Sequence, residues 1–407
     1  MKESFRSIII KGTFVLTISN FLVSGLNYLS NSLSAKSLGP SGFGELSTLF
    51  AYISIFYVPL TVLTTLIIVK LGRSKDNRSL IAQQIEQWFK SKLIERRLLV
   101  GILFTTVIFI PYLTNLSPLS SLVLYLLIGL GVMSTFYFSI LQGLHLFTKF
   151  SLLLVLISVS RLLGTIAAYL NIGGIQSIYL GLVSGGIISV VLAKKFIPHS
   201  AAIGTTTLSI KLRDYIMRKQ TLLTSASLLS VALLVNVDLM IVKRVFSPEM
   251  AGIYSSWSLL AKIIGYFTAP LLAVSLLFFS AQESKKDQKK ILYFLMSSII
   301  IVGSLILLLY EKYTTEVLLV IFSSKFLEIA PLAPYAALFG MLVTIIALVS
   351  NYHISNGSIS ALITPVVIPI HICLLIFFGI SLENIITINV GSAFFTAGIL
   401  IVSVLHS

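Results

Sequence analysis

Residues 38–47 read LGPSGFGELS, and residues 246–255, which lie 208 positions later, read FSPEMAGIYS. Three residue types recur in register between these stretches: Pro40 with Pro248, Gly44 with Gly252, and Ser47 with Ser255. Each stretch joins the first two apolar segments of one half of the 407-residue chain. The spacing therefore predicts a parallel six-plus-six repeat of membrane-spanning helices, in which both halves keep the same orientation.

The composition places the chain in a membrane. Hydrophobic residues make up 57% of the sequence, charged residues only 11%, and the mean hydropathy is +1.01, which excludes a water-soluble domain. Apolar segments of about 20 residues, enough to span a bilayer, recur along the whole chain. Because the backbone must satisfy its own hydrogen bonds in lipid, these segments are predicted to be helices. We expect an all-α polytopic membrane protein with about twelve transmembrane helices.

The predicted spans divide the chain into three parts. Residues 1–200 form an N-terminal six-helix lobe, residues 201–220 a cytoplasmic linker between the lobes, and residues 221–407 a C-terminal six-helix lobe. The first three spans are predicted at residues 7–33, 45–69 and 98–113.

The basic residues predict the orientation of the chain. The formal net charge is +15, but the Lys and Arg residues lie almost wholly in short connections between apolar segments, so they indicate topology and no nucleic acid partner. With a cytoplasmic N-terminus, the outer side would carry only Lys36, Lys243, Arg244, Lys312 and Lys325. The positive-inside rule then predicts that both termini are cytoplasmic.

One inner connection, residues 80–93, has apolar residues at near-helical spacing among polar ones. They are Ile81, Ile85, Trp88, Phe89 and Leu93. This pattern fits an interfacial helix that lies on anionic lipid. An ordinary solvated linker is the alternative.

Three charged residues are candidates for a charge deep in the bilayer. Arg161 and Lys262 each lie eleven residues into a span, about 16 Å along a helix and near the bilayer midplane. Asp238 lies near the outer end of the seventh span. Because a charge at this depth costs about 2.5 to 3.5 kcal/mol, each needs a partner or a wet cavity. The excess of positive charge favours binding of an anionic substrate, with Asp238 as the candidate residue for ion coupling.

A structural role is the alternative for each of these residues. Arg161 and Lys262 would then bond helix carbonyls, or Lys262 would extend its ammonium toward the interface. Asp238 would pair with Lys243 or Arg244 at the outer surface.

The first span has a polar face. Asn20, Asn27 and Asn31 lie on it together with Thr and Ser residues, within about 60° of one another at 100° per residue. Such a face would receive sugar hydroxyls in a water-filled cavity, or would pack helices together. Pro59 and Pro270 occupy similar places in the two halves and are candidate hinges, since each removes a helix hydrogen bond.

No catalytic or metal-binding constellation is present in the sequence. It has no phosphate-cradling glycine loop, no His and carboxylate cluster and no nucleophile elbow. The single cysteine, Cys373, lies in an apolar segment, and the five histidines are scattered. We therefore expect a transporter and not an enzyme, with no catalytic residues, no metal and no cofactor. A proton or sodium gradient is a candidate driving force.

Three stretches carry a resemblance to a known family. The region from Asn27 to Lys70, with AKSLGPSGFG at residues 35–44, resembles the first-loop signature of bacterial polysaccharide-biosynthesis, or oligosaccharide, flippases of the MATE-like (MOP) superfamily. Residues 141–147, LQGLHLF, resemble the inner turn after its fourth span, and residues 237–254 resemble the start of its second half. In many relatives arginine occupies the position of Lys36, and lysine keeps the charge but loses the bidentate fork.

The resemblance implies a two-lobed flippase of the bacterial cytoplasmic membrane. Its cargo would be an undecaprenyl-pyrophosphate-linked oligosaccharide, moved across the bilayer by alternating access, with polysaccharide assembly proteins as candidate partners. Arg161 and Lys262, with Lys36 and Arg244 at the outer mouth, would attract the pyrophosphate. One alternative is a MATE-type cation-coupled exporter of small molecules, and a second is a membrane sugar polymerase or ligase.

Overall fold

A computed structural model describes residues 2–73, 78–95, 114–198, 219–281 and 284–405. Most of these residues are helical, and short turns join the helices. The α-helices are α1 (Lys2–Arg73), α2 (Arg78–Glu95), α3 (Pro118–Gly143), α4 (Phe147–Tyr169), α5 (Gly174–Phe196), α6 (Lys219–Val245), α7 (Pro248–Ala281), α8 (Lys285–Ile321), α9 (Ala333–Ser355), α10 (Ile363–Phe378) and α11 (Leu382–Leu405). Short 3-10 helices span Ser324–Leu332 and Ile359–Leu362. Those ranges contain no β-strand.

Nine helical segments in these ranges are long and apolar enough to cross a membrane. The chain is thus a multi-pass membrane protein, as predicted. The third predicted span, residues 98–113, lies outside the described residues.

Helix α1 contains the first two predicted spans, which meet at a kink without an intervening loop. It is 72 residues long, and its apolar part, Phe14–Ile68, has 55 residues, or about 80 Å at 1.5 Å per residue. This is more than twice the thickness of the hydrocarbon core. The helix breaks at Gly39, where φ is 64°. Because this left-handed conformation favours glycine, the LGPSGFG stretch turns the chain without a long loop.

The helices group into two compact units. The first comprises Met1–Ser30 and Pro59–Arg218, and the second comprises Asn31–Val58 and Lys219–Ser407. The middle of α1, on both sides of Gly39, thus groups with the helices of the second half. The division into lobes 1–200 and 221–407, with a linker at 201–220, stays a prediction.

The core of the first unit includes the helix at residues 80–93. Helix α2 forms there as predicted, but its apolar face packs into the protein: the rings of Phe89 and Phe136 stack with centroids 3.9 Å apart, and Ile85 is fully buried. Glu86 is also buried, and it accepts a hydrogen bond from the Tyr137 hydroxyl at 3.4 Å. The prediction that Ile85 and Phe89 face lipid is therefore wrong, because neighbouring helices supply the apolar cover.

The second unit is built around α7, whose residues 251–261 are all buried. The Trp257 indole donates to the Leu332 carbonyl at 3.0 Å, and the Tyr310 hydroxyl donates to the Leu260 carbonyl at 3.2 Å. These bonds satisfy the polar tips of two large buried side chains. They fix α7 against α8 and against the short 3-10 helix that precedes α9.

The repeated glycines Gly44 and Gly252 meet within the second unit. A Cβ on Gly44 would lie 2.8 Å from the Gly252 nitrogen, and a Cβ on Gly252 would lie 1.8 Å from the Pro40 carbonyl oxygen. Only glycine allows the two backbones to approach this closely, as at small-residue contacts between membrane helices. The repeat found in the sequence is therefore also a contact between its two copies.

We expect Gly252→Ala to lower the stability of the protein by about 1–3 kcal/mol or more, because the added methyl group would overlap a backbone carbonyl that cannot rotate away. Gly265→Ala on the same helix is the matched control, since nothing lies within 4 Å of its Cβ position and alanine is the better helix former. Thermal unfolding of the purified protein in detergent measures both. Equal melting temperatures would contradict the close contact.

Candidate functional site

The structure brings Arg161 and Asn27 into contact within the first unit. Arg161 lies on α4 and is only 7% exposed. Its Nη1 donates a hydrogen bond to the Asn27 Oδ1 at 3.2 Å. Asn27 lies on the polar face of α1, so the guanidinium is oriented by a side chain from another helix. This arrangement places a cationic group among membrane-spanning helices.

A buried polar face runs along α4 on both sides of Arg161. Ser151, Ser158 and Thr165 are all buried, and their spacing of seven, three and four residues places them on the arginine's face of the helix. The Thr165 hydroxyl donates to the Arg161 carbonyl at 3.0 Å. Polar residues on this face turn toward protein, since lipid would leave them unsatisfied.

The three predicted asparagines of α1 are less buried than Arg161. Asn20, Asn27 and Asn31 are all partly exposed. Asn20 and Asn27 belong to the first unit, whereas Asn31 belongs to the second. Their role in binding sugar hydroxyls stays a prediction.

Asp238 is fully buried in the second unit and accepts three hydrogen bonds. The donors are the hydroxyl of Tyr254, the Nδ2 of Asn389 at 3.0 Å and the backbone N–H of Leu239 at 2.8 Å. They come from α7, α11 and α6 itself. Asp238 thus ties three helices together, as a buried carboxylate with several donors can.

The side chain of Lys262 is held by an amide on α6. Its Nζ donates to the Asn236 Oδ1 at 3.1 Å, and the Asn236 Nδ2 donates to the Ala232 carbonyl at 2.8 Å. The described ion pairs do not include Lys262. Because its ammonium bonds a side-chain amide, the alternative in which Lys262 bonds a helix carbonyl is wrong.

The alternative in which Asp238 pairs with Lys243 or Arg244 at the outer surface is also wrong. Lys243 pairs with Glu45, at 2.7 Å between Nζ and Oε2, and both side chains are largely buried. Asp238 instead points inward to Tyr254 and Asn389. Asn236 and Lys243 are seven residues apart and share one face of α6, whereas Asp238 points to the opposite side, so the helix contacts its neighbours from two faces.

The remaining predicted site residues lie outside these clusters. Lys36 is partly exposed and Arg244 is exposed, so their part in attracting cargo stays a prediction. Helix α1 runs through Pro59 and α7 runs through Pro270. Non-helical backbone occurs at Gly39 in α1 and at Tyr313 in α8. The hinge role of the prolines is not tested by these angles.

Three residues that contact Asp238 or Lys262 were not predicted from the sequence: Asn236, Tyr254 and Asn389. The sequence singles out Tyr254 only as part of the repeat, while Asn236 and Asn389 are amides within apolar stretches of α6 and α11. The available signal was their rarity: a lone Asn in a spanning helix is costly and therefore a candidate for a specific contact. In the described ranges, no group of three or more His, Cys, Asp or Glu residues could hold a metal ion.

The family of the chain follows from its sequence. The model of the polysaccharide biosynthesis protein family matches residues 9–280. This range includes most of α1 and the residues Arg161, Asp238, Tyr254 and Lys262. The chain belongs to the polysaccharide biosynthesis protein family. The family resemblance noted from the first-loop signature is thus confirmed. No curated protein matches the sequence.

Solved structures with the same fold include both transporters and flippases. The chain is similar to an inward-facing multidrug resistance MATE transporter of the MOP superfamily, with a TM-score of 0.68 and 14% identity over 97% of this chain and 98% of that one. It is similar to the lipid II flippase MurJ, with a TM-score of 0.66 and 17% identity over 96% and 87%.

A third similar structure is a MOP superfamily transporter from Pyrococcus furiosus, described as having a binding pocket of reverse polarity that suggests a different function. Its TM-score is 0.58, with 11% identity over 97% of this chain and 96% of that one. At these identities the likenesses establish the fold alone. This polysaccharide biosynthesis protein is thus a multi-pass membrane protein whose fold is similar to that of MOP superfamily transporters.

We expect Asn389→Leu to destabilise the second unit by about 1–3 kcal/mol, because the buried Asp238 carboxylate would lose a donor. Asn384→Leu is the matched control, since Asn384 lies on the same helix but is exposed. The measurement is thermal unfolding of both variants in detergent. A melting temperature for Asn389→Leu equal to that of the control would show that the hydrogen bond from Asn389 to Asp238 contributes nothing to stability.

Proposed function

We propose that this protein is a flippase that moves an undecaprenyl-pyrophosphate-linked oligosaccharide across the bacterial cytoplasmic membrane by alternating access. The observation that carries the proposal is a cation inside each unit, Arg161 in the first and Lys262 in the second, whose side chain bonds an asparagine amide. In a polysaccharide biosynthesis protein, such cations suit a cargo that brings its own negative charge.

The proposal includes a complete topology. Twelve spans form two six-helix lobes, residues 1–200 and 221–407, joined by a cytoplasmic linker at residues 201–220, with both termini in the cytoplasm. The asymmetry of Lys and Arg between the connections supports this orientation. The protein acts as a transporter and has no enzymatic activity of its own.

The chemistry of the cargo matches the proposed groups. A pyrophosphate is close to dianionic, and guanidinium and ammonium groups attract it strongly where the surroundings have a low dielectric constant. Arg161 would bind phosphate oxygens through its planar fork, and Lys262 would act as a point charge. Asn20, Asn27 and Asn31 would bond sugar hydroxyls, and the polyprenyl chain would remain in lipid.

We expect Arg161→Ala and Lys262→Met each to reduce the rate of cargo transfer by about tenfold or more, since a hydrogen bond to a charged group contributes about 1.5–3 kcal/mol. Transfer of a lipid-linked oligosaccharide between leaflets of reconstituted vesicles is the measurement. Lys312→Met, which removes an exposed lysine, is the control and should keep the wild-type rate. Full transfer by the Arg161→Ala/Lys262→Met double variant would remove both residues from the mechanism.

The same vesicles separate the proposed function from its alternatives. A MATE-type exporter of organic cations would need acids facing its cavity, but Asp238 is already bonded by three donors. Uptake of a fluorescent organic cation, without transfer of the lipid-linked oligosaccharide, would establish the exporter. Formation of glycosidic bonds by the purified protein would establish a polymerase or ligase.

Asp238 is the proposed site of ion coupling. The Asn389 Nδ2 bonds this carboxylate, and the Oδ1 of the same amide is buried and accepts no hydrogen bond in the described structure. A buried acceptor without a donor is costly. A proton on the carboxylate, or a sodium ion shared by the two oxygens, would use this spare capacity.

We expect Asp238→Asn to make the transfer rate independent of an imposed proton or sodium gradient, because the variant keeps the size of the side chain and removes its charge. The rate is measured in vesicles with each gradient applied in turn. Wild-type protein and the exposed variant Asn384→Asp serve as controls that should still respond. A gradient response that survives in Asp238→Asn would place the coupling elsewhere.

A further inference from the structure

We infer that Asn236 is a positioning residue that holds the Lys262 ammonium ready for an anionic ligand and keeps it from pairing with Asp238. The inference rests on the proposed function and adds a residue to its binding site. Its starting point is the hydrogen bond from the Lys262 Nζ to the Asn236 Oδ1, 3.1 Å long, between α7 and α6.

The Asn236 amide has a fixed orientation. The side chain is only 7% exposed, and its Nδ2 donates to the Ala232 carbonyl, 2.8 Å away on the preceding turn of α6. With the NH₂ group bonded to its own helix, the Oδ1 is the atom left to face another helix. The amide therefore presents an acceptor to Lys262.

An acid lies nearby, and yet Lys262 does not bond it. Asp238 follows Asn236 by two residues, a spacing that places the two side chains on different faces of a helix. Its oxygens already accept from Tyr254, Asn389 and the Leu239 N–H. Asn236 and Asp238 of α6 both bond side chains of α7, Lys262 and Tyr254 respectively, so a lysine released by Asn236 would have an acid within the same pair of helices.

The choice of an amide has a consequence for charge. Hydrogen bonding to a neutral oxygen orients an ammonium and leaves its full positive charge, whereas an ion pair with a carboxylate would largely cancel it. An aspartate at position 236 would supply a charge opposite to that of the lysine, and the amide does not. Asparagine at position 236 thus favours negative charge in the ligand.

The test uses equilibrium binding of inorganic pyrophosphate to the full chain in lipid nanodiscs, measured by isothermal titration calorimetry. Asn236→Asp keeps the shape and the acceptor but adds a negative charge, and it should weaken binding by about tenfold or more. Asn236→Ala should also weaken binding, because it frees Lys262 to pair with Asp238. The double variant Asn236→Ala/Asp238→Asn should recover most of the lost affinity, since no acid then captures the lysine.

The recovery separates positioning from a merely structural role. Damage to the fold would be deepened by the second substitution and not reversed, and Asn384→Asp, an exposed change of the same charge, should bind as wild type does. Wild-type affinity in Asn236→Asp, a double variant no better than Asn236→Ala, or a wild-type protein that binds no pyrophosphate would each overturn the inference.

Failure of the proposed function gives a different result. Wild-type protein that binds pyrophosphate but transfers no lipid-linked oligosaccharide in vesicles would refute the flippase proposal. The binding of the Asn236 variants would still decide whether this residue positions Lys262.

Discussion

A polar group inside a bilayer has no water to bond, and each unsatisfied group costs several kcal/mol. Many hydroxyls of the described helices meet that constraint locally, by donating to a carbonyl of the preceding helical turn, as Thr48, Ser255, Thr344 and Thr396 do. Other polar side chains bond from one helix to another, as the Trp257 indole and the Tyr310 hydroxyl do. Among these interhelix bonds, those of Arg161, Asp238 and Lys262 involve a charged group at the positions predicted from the sequence.

Close backbone contact is the second consequence of this constraint. Membrane helices gain little from burying apolar side chains against each other, so they associate through small residues that let backbones approach. The contact of Gly44 with Gly252 and the Pro40 carbonyl is of this kind. Beside it, Glu45 and Lys243 form a largely buried ion pair. Together they explain why residues 31–58 group with the helices of the second half.

The charges of the second unit are arranged in three different ways. The Lys243 charge is matched by Glu45, the Asp238 charge is stabilised by three donors, and Lys262 is held by the neutral amide of Asn236. Of the two lysines, Lys243 pairs with a carboxylate, whereas Lys262 is held by a neutral group. The proposed function accounts for this difference by a cargo that is an anion, and the shared fold by itself does not distinguish a flippase from an exporter.

The sequence by itself determined the class of the protein, its helices, its internal repeat and the charged residues Arg161, Asp238 and Lys262, because hydropathy and spacing are local properties. Only the tertiary structure decided the partners of these charges. The bond from Asn389 to Asp238 spans 151 residues, and that from Lys262 to Asn236 spans 26. It also decided that α2 buries its apolar face in protein, since an amphipathic pattern is the same against lipid or a neighbouring helix. Such contacts depend on how helices pack, which no local pattern specifies.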